Sequence, residues 1–387
     1  MRHIGIASLF FATFSSSPLH AETIRVASYN IQDVRTHDLL QDHHPRLKRI
    51  ARIIKKLDAD VILLNEIAYD SPGYPYVPKD QERPGLNADR FVAKYLSSDP
   101  KAPMFKTITL DSNTGIPSGH DLDNSGAAIT ELPALIKNSK LKHTPEQRKY
   151  GNDSHGYGIF PGHFSMALLV SPELTILRES IRTYRLFKWS DLPGVIAPTY
   201  PDGTPWYSDK AWQEHRLPSK TLADIPVRLP SGEVIHFVVS HPTPPSFDGS
   251  ERRNRIRNRD EIRLLRAFMD NESWLIDDNG KKGGLPPGEH AIILGDLNAD
   301  PDGGPSIRGT ITHLLNSPIL APNITPRSKT NYKGIQPWHT SKFGLRVDYI
   351  LPTQSLAITK SGVWRARKKK RNPSDHFPVW ADITIKK

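Results

Sequence analysis

Behind the apolar run Ala291, Ile292, Ile293 and Leu294 stand Asp296, Asn298, Asp300 and Asp302, each two residues after the last. Other chemistry-bearing residues occupy comparable places. Asn30 closes "TIRVASYN", Glu66 closes "ADVILLNE" and His241 closes "EVIHFVVSH". Asp348 lies in "RVDYILP", and Asp375 with His376 precedes "PVWADITI". The chain has no cysteine, so carboxylates and an asparagine amide make a hard, oxygen-rich donor set. Such a set suits Mg²⁺ or Mn²⁺, with Ca²⁺ as a further candidate, rather than a thiolate-selected metal. Histidines beside carboxylates suit proton transfer and stabilisation of a charged, phosphorane-like state. A metal, an oriented water and a stabilised leaving oxygen are what water attack on a phosphoester requires. Each residue alone has a plainer use. Asp and Asn form turns, a strand-end Glu is solvated, and a histidine before Pro242 can be structural. Their recurrence at strand ends is what points to one site.

The elements that must position them can be read from period. Ile24, Val26 and Ser28 alternate with Arg25, Ala27 and Tyr29, which predicts a strand ending at Asn30. Leu47, Ile50, Ile53, Ile54 and Leu57 recur at helical spacing behind Pro45, a good first helical residue. After a turn at Asp58–Asp60, Val61–Leu64 reads as a buried strand that delivers Glu66. Further strands are expected at Ser165–Ser171, "EVIHFVVSH", "RVDYILP" and "PVWADITI". Helices are expected at Ala88–Leu96 and "RNRDEIRLLRAFMDNE", the latter with Ile262, Leu265 and Met269 on one face. Strand ends are rigid, and loops beside them give access, so reactive groups are well placed there.

In this order, "ASYNIQ", "ADVILLNE", "VVSHPTPP", "ILGDLNADP", "RVDYILP" and "PSDHFPVWADI" resemble the endonuclease/exonuclease/phosphatase superfamily, and "HPTPPSFDG" resembles a secreted bacterial branch of it. The matching stretches cover the expected mature chain from end to end. It implies an α/β fold, a four-layer sandwich of two mixed sheets face to face with helices outside. It also implies roles. Glu66 is the principal metal ligand, assisted by Asn30, and Asp296 orients or deprotonates the attacking water with Asn298 beside it. His376 contacts the scissile phosphate, and Asp348 orients a catalytic histidine. Asp375 is a metal-side carboxylate or holds the other histidine, and His241 is a general acid or phosphate contact. Gln32 stands where some nuclease members carry a carboxylate, which leaves more of the metal coordination to Glu66. Met166 stands where deoxyribonuclease-like sequences often have Asn.

The remaining features bear on substrate and location. A formal net charge of +11 favours a polyanionic partner or merely keeps the protein soluble. Two basic runs flank the histidines. Arg252, Arg253, Arg255, Arg257 and Arg259 follow His241, and Arg365, Arg367, Lys368, Lys369, Lys370 and Arg371 precede Asp375. They either recruit a phosphate-rich substrate or form a solvated surface, the ordinary use of such runs. "DLDNSG" (Asp121–Gly126) resembles the start of a calcium loop, but Leu132 stands where an EF-hand needs glutamate, so a plain Asx turn is favoured. Trp206, Tyr207 and Trp212 can stack on a base or cover the core, the commoner use. Arg2 and His3, the apolar run Ile4–Phe14 and small residues up to Ala21 resemble a signal peptide over 1–21 with cleavage near Ala21. No later stretch offers about 18 consecutive apolar residues, so a transmembrane segment is not expected. The expected organisation is one domain over 22–387 with long loop insertions at about 71–160 and 180–230. The expected product is a secreted or periplasmic metal-dependent phosphoesterase using direct water attack, nuclease-like in substrate. A phosphomonoesterase or phospholipid phosphodiesterase, and a non-catalytic binding protein on the same scaffold, are the alternatives. The oligomeric state is left open.

Overall fold

The strand that carries Asn30, β1 (Thr23–Val34), lies in the middle of a six-stranded sheet. It runs parallel to β2 (Val61–Ile67) and antiparallel to β12 (Val379–Ile385). Outside these lie β4 (Met166–Val170) and β3 (Lys106–Leu110) on one side and β11 (Leu356–Val363) on the other. The second sheet has β9 (His290–Asp296) between β8 (Val234–Ser240), parallel to it, and β10 (Asp348–Pro352), antiparallel. It continues through β7 (Leu222–Arg228), to which the two-residue strands β5 (Thr175–Ile176) and β6 (Arg182–Thr183) both pair. This computed structural model describes residues 22–71, 79–81, 83–97, 104–133 and 143–386. The leader expected over 1–21 lies outside the described residues, as do parts of the stretch at about 71–160.

Side-chain alternation builds the layers. Val26, Leu63 and Leu168 from the first sheet meet Ile225, Phe237, Ile292 and Leu294 from the second, forming a core between the sheets. The opposite faces are covered by the parallel crossovers. The helix Pro45–Leu57 links β1 to β2, with His44 capping Leu47 N and Pro45 opening the first turn. It buries Leu47, Ile50, Ile53, Ile54 and Leu57 against Ile62 and Leu64. The helix Arg253–Met269 links β8 to β9 and buries Ile262, Leu265, Phe268 and Met269 against Val238, Ala291 and Ile293. Each fully buried Leu, Ile or Phe contributes ~1.5–3 kcal/mol. The result is the expected four-layer α/β sandwich with two mixed sheets.

Two differences from the sequence reading have physical causes. β1 does not stop at Asn30. It continues to Val34 with a register shift, because Gln32 and Asp33 take left-handed backbone (φ 57° and 46°). The strands β3, β7 and β11 were not expected. β3 and β11 are sheet edges that carry polar residues such as Lys106, Thr109, Lys360 and Ser361 among their few apolar ones. β7 contains Pro226, and only the short β5 and β6 pair on its outer side, so its missing N–H is tolerated. Trp206, Tyr207 and Trp212, within the 180–230 stretch, pack with Trp189, Leu217 and Ile262, the core use of these aromatics.

Candidate active site

The inward-facing rows of the two sheets are apolar at depth and polar at one end. On β1 the row reads Val26, Ser28, Asn30, and on β9 it reads Ile292, Leu294, Asp296. On β10 it runs from Ile350 to Asp348, which is paired to Asp296. Glu66 breaks this rule. Ile62 and Leu64 face the helix-covered side, so alternation alone would send Glu66 there too. Instead Glu66 N and Ile67 N both donate to Ser165 O (2.8 and 3.1 Å), the mark of a β-bulge, and Glu66 takes φ 67°. The bulge turns its carboxylate toward Asn30.

Asn30 Nδ2 donates to Glu66 Oε1 (2.9 Å) and to Asp296 Oδ2 (3.0 Å), so one amide joins the two carboxylates. Glu66 Oε2 accepts from Asp33 N (2.9 Å), and Asp33 is in turn held by Arg35 and His163. Asp296 has two tasks. Its Oδ1 accepts from Asn298 N (3.0 Å), an Asx turn that sets Asn298 at φ 53°. Its Oδ2 lies 3.5 Å from His241 Nε2 and 3.6 Å from His376 Nε2. His376 Nδ1 is 2.9 Å from Asp348 Oδ2, and Asn298 Nδ2 donates to Pro242 O (3.1 Å). Asp375 is half-buried beside this group, its N–H donating to Gln32 Oε1 (3.1 Å), and Ser374 Oγ donates to Asn30 O (2.7 Å). Thus Asn30, Glu66, His241, Asp296, Asn298, Asp348, Asp375 and His376 come together from both sheets.

Burial and mutual charge divide these groups. Burial and then Asp375 push the Glu66 carboxyl up to about 7. Burial acts the same way on Asp296, yet His376, His241 and the Asn30 hydrogen bond outweigh it and hold Asp296 well below the usual carboxylate range. Burial, then Lys220, pushes His241 down to about 4, so its ring is neutral near pH 7. Burial opposes charge on His376 as well, but Asp348 and Asp296 raise it well above its ordinary value. Asp348, buried, is itself pushed up to about 6. The two histidines therefore differ in charge, one neutral and one an imidazolium, on either side of a single ionised carboxylate.

A cavity of ≈ 610 Å³ opens beside this cluster, with Glu66, His241 and Lys220 in its lining. Lys220 was not singled out in the sequence. It precedes β7, is 6% exposed, and among the described residues its ammonium makes one long hydrogen bond, to Pro242 O (3.4 Å). Glu261 accepts from Ser219 N and Thr243 N, fixing the loops on either side of that ammonium. A lone lysine ahead of a proline-containing strand has no sequence signature. Its role shows only in its burial at the site.

The sequence model described as the Endonuclease/Exonuclease/phosphatase family matches residues 27–376. The chain belongs to the endonuclease/exonuclease/phosphatase family. Its members are metal-dependent hydrolases of phosphoester bonds, and this chain is such an enzyme. An endonuclease/exonuclease/phosphatase from Beutenbergia cavernae has a similar fold at TM-score 0.50 and 16% identity, covering 94% of this chain and 72% of that chain. A mannosyl-6-phosphatase from Bacteroides thetaiotaomicron gives TM-score 0.48 at 15% identity, covering 94% of this chain and 100% of the other. The human nocturnin catalytic domain gives 0.46 at 13%, covering 94% of both. None of the curated proteins is similar enough in sequence to match.

The donor set fits the divalent cation on which this family depends. Glu66 and Asp375 are neighbouring carboxylates whose charges oppose each other, and burial with this repulsion pushes the Glu66 carboxyl up to about 7, a pairing that a divalent cation would relieve. Asp296, Asp348 and His376 also lie within 4.8 Å of one another. Their hydrogen bonding and charge make them a carboxylate–imidazolium–carboxylate chain, and an imidazolium is no metal ligand. The other predicted residues are placed as follows. Arg253 lines the cavity, donates to Leu122 O (2.7 Å) and lies 5.3 Å over the Trp206 ring. Arg252 is exposed, and Arg255 Nε is 3.6 Å from Asp248. Lys368, Lys369 and Lys370 are exposed at the short turn Lys369–Arg371 and are not in the cavity lining. The Asp121–Gly126 turn closes on its own backbone, with Ser125 N and Gly126 N donating to Asp121. Among the described residues no helix is long and apolar enough to cross a membrane.

Proposed function

We propose that this chain is an exported phosphodiesterase that hydrolyses its substrate by direct water attack, with Mg²⁺ or Mn²⁺ held by Glu66, Asn30 and Asp375. One observation carries the reading: an ionised Asp296 shared by a neutral His241 and a protonated His376, joined through Asn30 to the Glu66 carboxylate. A divalent cation held by Glu66, Asn30 and Asp375 would supply charge stabilisation to the reacting phosphate. The chain's own groups do the rest. Asp296 orients the water and accepts its proton, with Asn298 beside it. The water oxygen bonds to phosphorus as the ester P–O bond breaks. His376, held by Asp348, gives its proton to the departing oxygen, and neutral His241 donates a hydrogen bond to a phosphoryl oxygen. Lys220, in the cavity lining, supplies a positive charge there.

The net charge of +11 and the exposed Lys368–Lys370 run leave a nucleic-acid substrate as the second reading. A panel of nucleic acids, inositol phosphates, phospholipids and phosphomonoesters, run in ¹⁸O-labelled water with Mg²⁺, Mn²⁺ and Ca²⁺, tests the reading. Metal-dependent turnover of a phosphodiester that leaves ¹⁸O on phosphorus supports it. No turnover of any phosphoester with any of the three metals contradicts it. Export rests on the basic start, apolar run and small residues over 1–21. The mass of the protein recovered from the periplasm or medium checks cleavage near Ala21.

A further inference from the structure

We propose that the cavity beside Glu66 and His241 binds the organic group of the substrate, and that this group is compact and presents an aromatic ring face. The inference rests on the phosphoesterase reading and names its substrate class. A volume of ≈ 610 Å³ falls within the ~300–1,000 Å³ of small-molecule sites. The cavity is continuous with the reacting centre, because Glu66, Lys220 and His241 line it together with Phe164, Tyr157 and Phe247. An ester bound with its phosphate at His241 and Lys220 therefore has its carbon portion among these rings.

The two phenylalanines are displayed in a way that core packing does not explain. Phe247 is 91% exposed and has φ 63°; Phe164 has φ 58°. Left-handed backbone is a true outlier for a bulky residue, and such conformations persist where the surroundings enforce them. Both are enforced here. After Phe247, Asp248 accepts from Asn254 N and Arg255 N (2.8 and 3.0 Å), and before it Ser246 O accepts from Asn254 Nδ2 (2.8 Å). The loop is thus fastened to the start of the helix Arg253–Met269 on both sides of the ring. Phe164 stacks on His163 with centroids 3.5 Å apart. His163 is fixed by Asp33 (2.9 Å), whose N–H holds Glu66. An exposed ring and a half-buried ring, each on a rigid support, face one cavity that ends at the reacting groups. Arg148 and Arg253 also line it, so the site suits an anion with a ring attached. The lysine run that would serve a long polyanion lies outside the lining.

The test is calorimetric binding of phenylphosphonate and methylphosphonate, which lack a cleavable ester, to the full-length protein with Mg²⁺. The wild type is compared with Phe247→Ala, whose exposed side chain leaves the fold intact, as a thermal melt verifies. Phenylphosphonate should bind roughly threefold to tenfold more tightly than methylphosphonate, the scale of an aromatic pair. Phe247→Ala should lose that preference while keeping its affinity for methylphosphonate. Equal affinities in the wild type, a preference retained in Phe247→Ala, or displacement of phenylphosphonate by a short DNA duplex at lower concentration than by free phenyl phosphate would each overturn the proposal. Hydrolysis of phosphoesters without the ring preference sinks the pocket alone. A ring preference without hydrolysis of any phosphoester sinks the phosphoesterase reading alone.

Discussion

His376 owes its charge to Asp348 and Asp296, and that dependence can be measured. Its pKa is raised, so as general acid it works below that pKa and fails as pH rises through it. Asp348→Asn removes the first of the two charges that raise it, so the alkaline limb of the kcat–pH profile should move to lower pH. An unmoved limb would take His376 out of the acid role. Lys220 makes a second case. A charge-assisted contact is worth ~1.5–3 kcal/mol, so Lys220→Met should raise KM by roughly tenfold to a hundredfold with a smaller change in kcat. Steady-state kinetics that leave KM unchanged would make the lysine structural. At this scale the sequence was informative where residue types cluster: "GDLNADP" and "SDHFPV" name Asp296, Asn298, Asp375 and His376 directly. It was silent on Lys220, and on which histidine is neutral, because burial and neighbouring charge decide both.

Strands and turns place these groups to within a hydrogen bond. The bulge at Glu66 is one such device, and Gly295 is another. A Cβ at Gly295 would stand 1.9 Å from Ser240 O, so only glycine lets β9 approach β8 this closely, one residue before Asp296 and one before His241. Gly295→Ala should cost about 1–3 kcal/mol or more in urea unfolding, the scale of an overpacked interior, and should lower kcat by parting Asp296 from His241. Wild-type stability and kcat would show that this approach is dispensable. Buried strands and the two crossover helices were legible, since their apolar rows have clean periods. The edge strands β3 and β11 were not, because each offers only a few apolar residues among polar ones, too few to set a period. The bulge was not legible either: "LLNEI" reads as an unbroken strand, and alternation would have aimed Glu66 away from the site.

The whole molecule presents two surfaces to an anion, the cavity and the basic runs. The order of motifs made the sandwich legible, but which cations face the substrate depends on long-range packing. Arg255 is committed to Asp248, and Arg257, counted by sequence in the same basic run, is buried and donates to Leu217 O (2.9 Å). Neutralising Lys368, Lys369 and Lys370 should therefore leave KM for a small phosphodiester unchanged and flatten the salt dependence only for nucleic acid. Equal effects on both substrates would place these lysines at the site. The central claim is a metal-assisted water attack organised at Glu66. Its most direct test is the rate of bis(4-nitrophenyl) phosphate hydrolysis against Mg²⁺ concentration at several pH values, for the wild type and Glu66→Gln. Because the Glu66 carboxyl is pushed up to about 7, protons compete with the cation below that pH. The wild type should therefore be inactive with chelator, and its half-saturating Mg²⁺ should fall as pH rises to about 7 and then level off. Glu66→Gln should need roughly tenfold or more Mg²⁺, with no such pH dependence. Hydrolysis that survives chelation, or one titration curve shared by both proteins, would contradict the account.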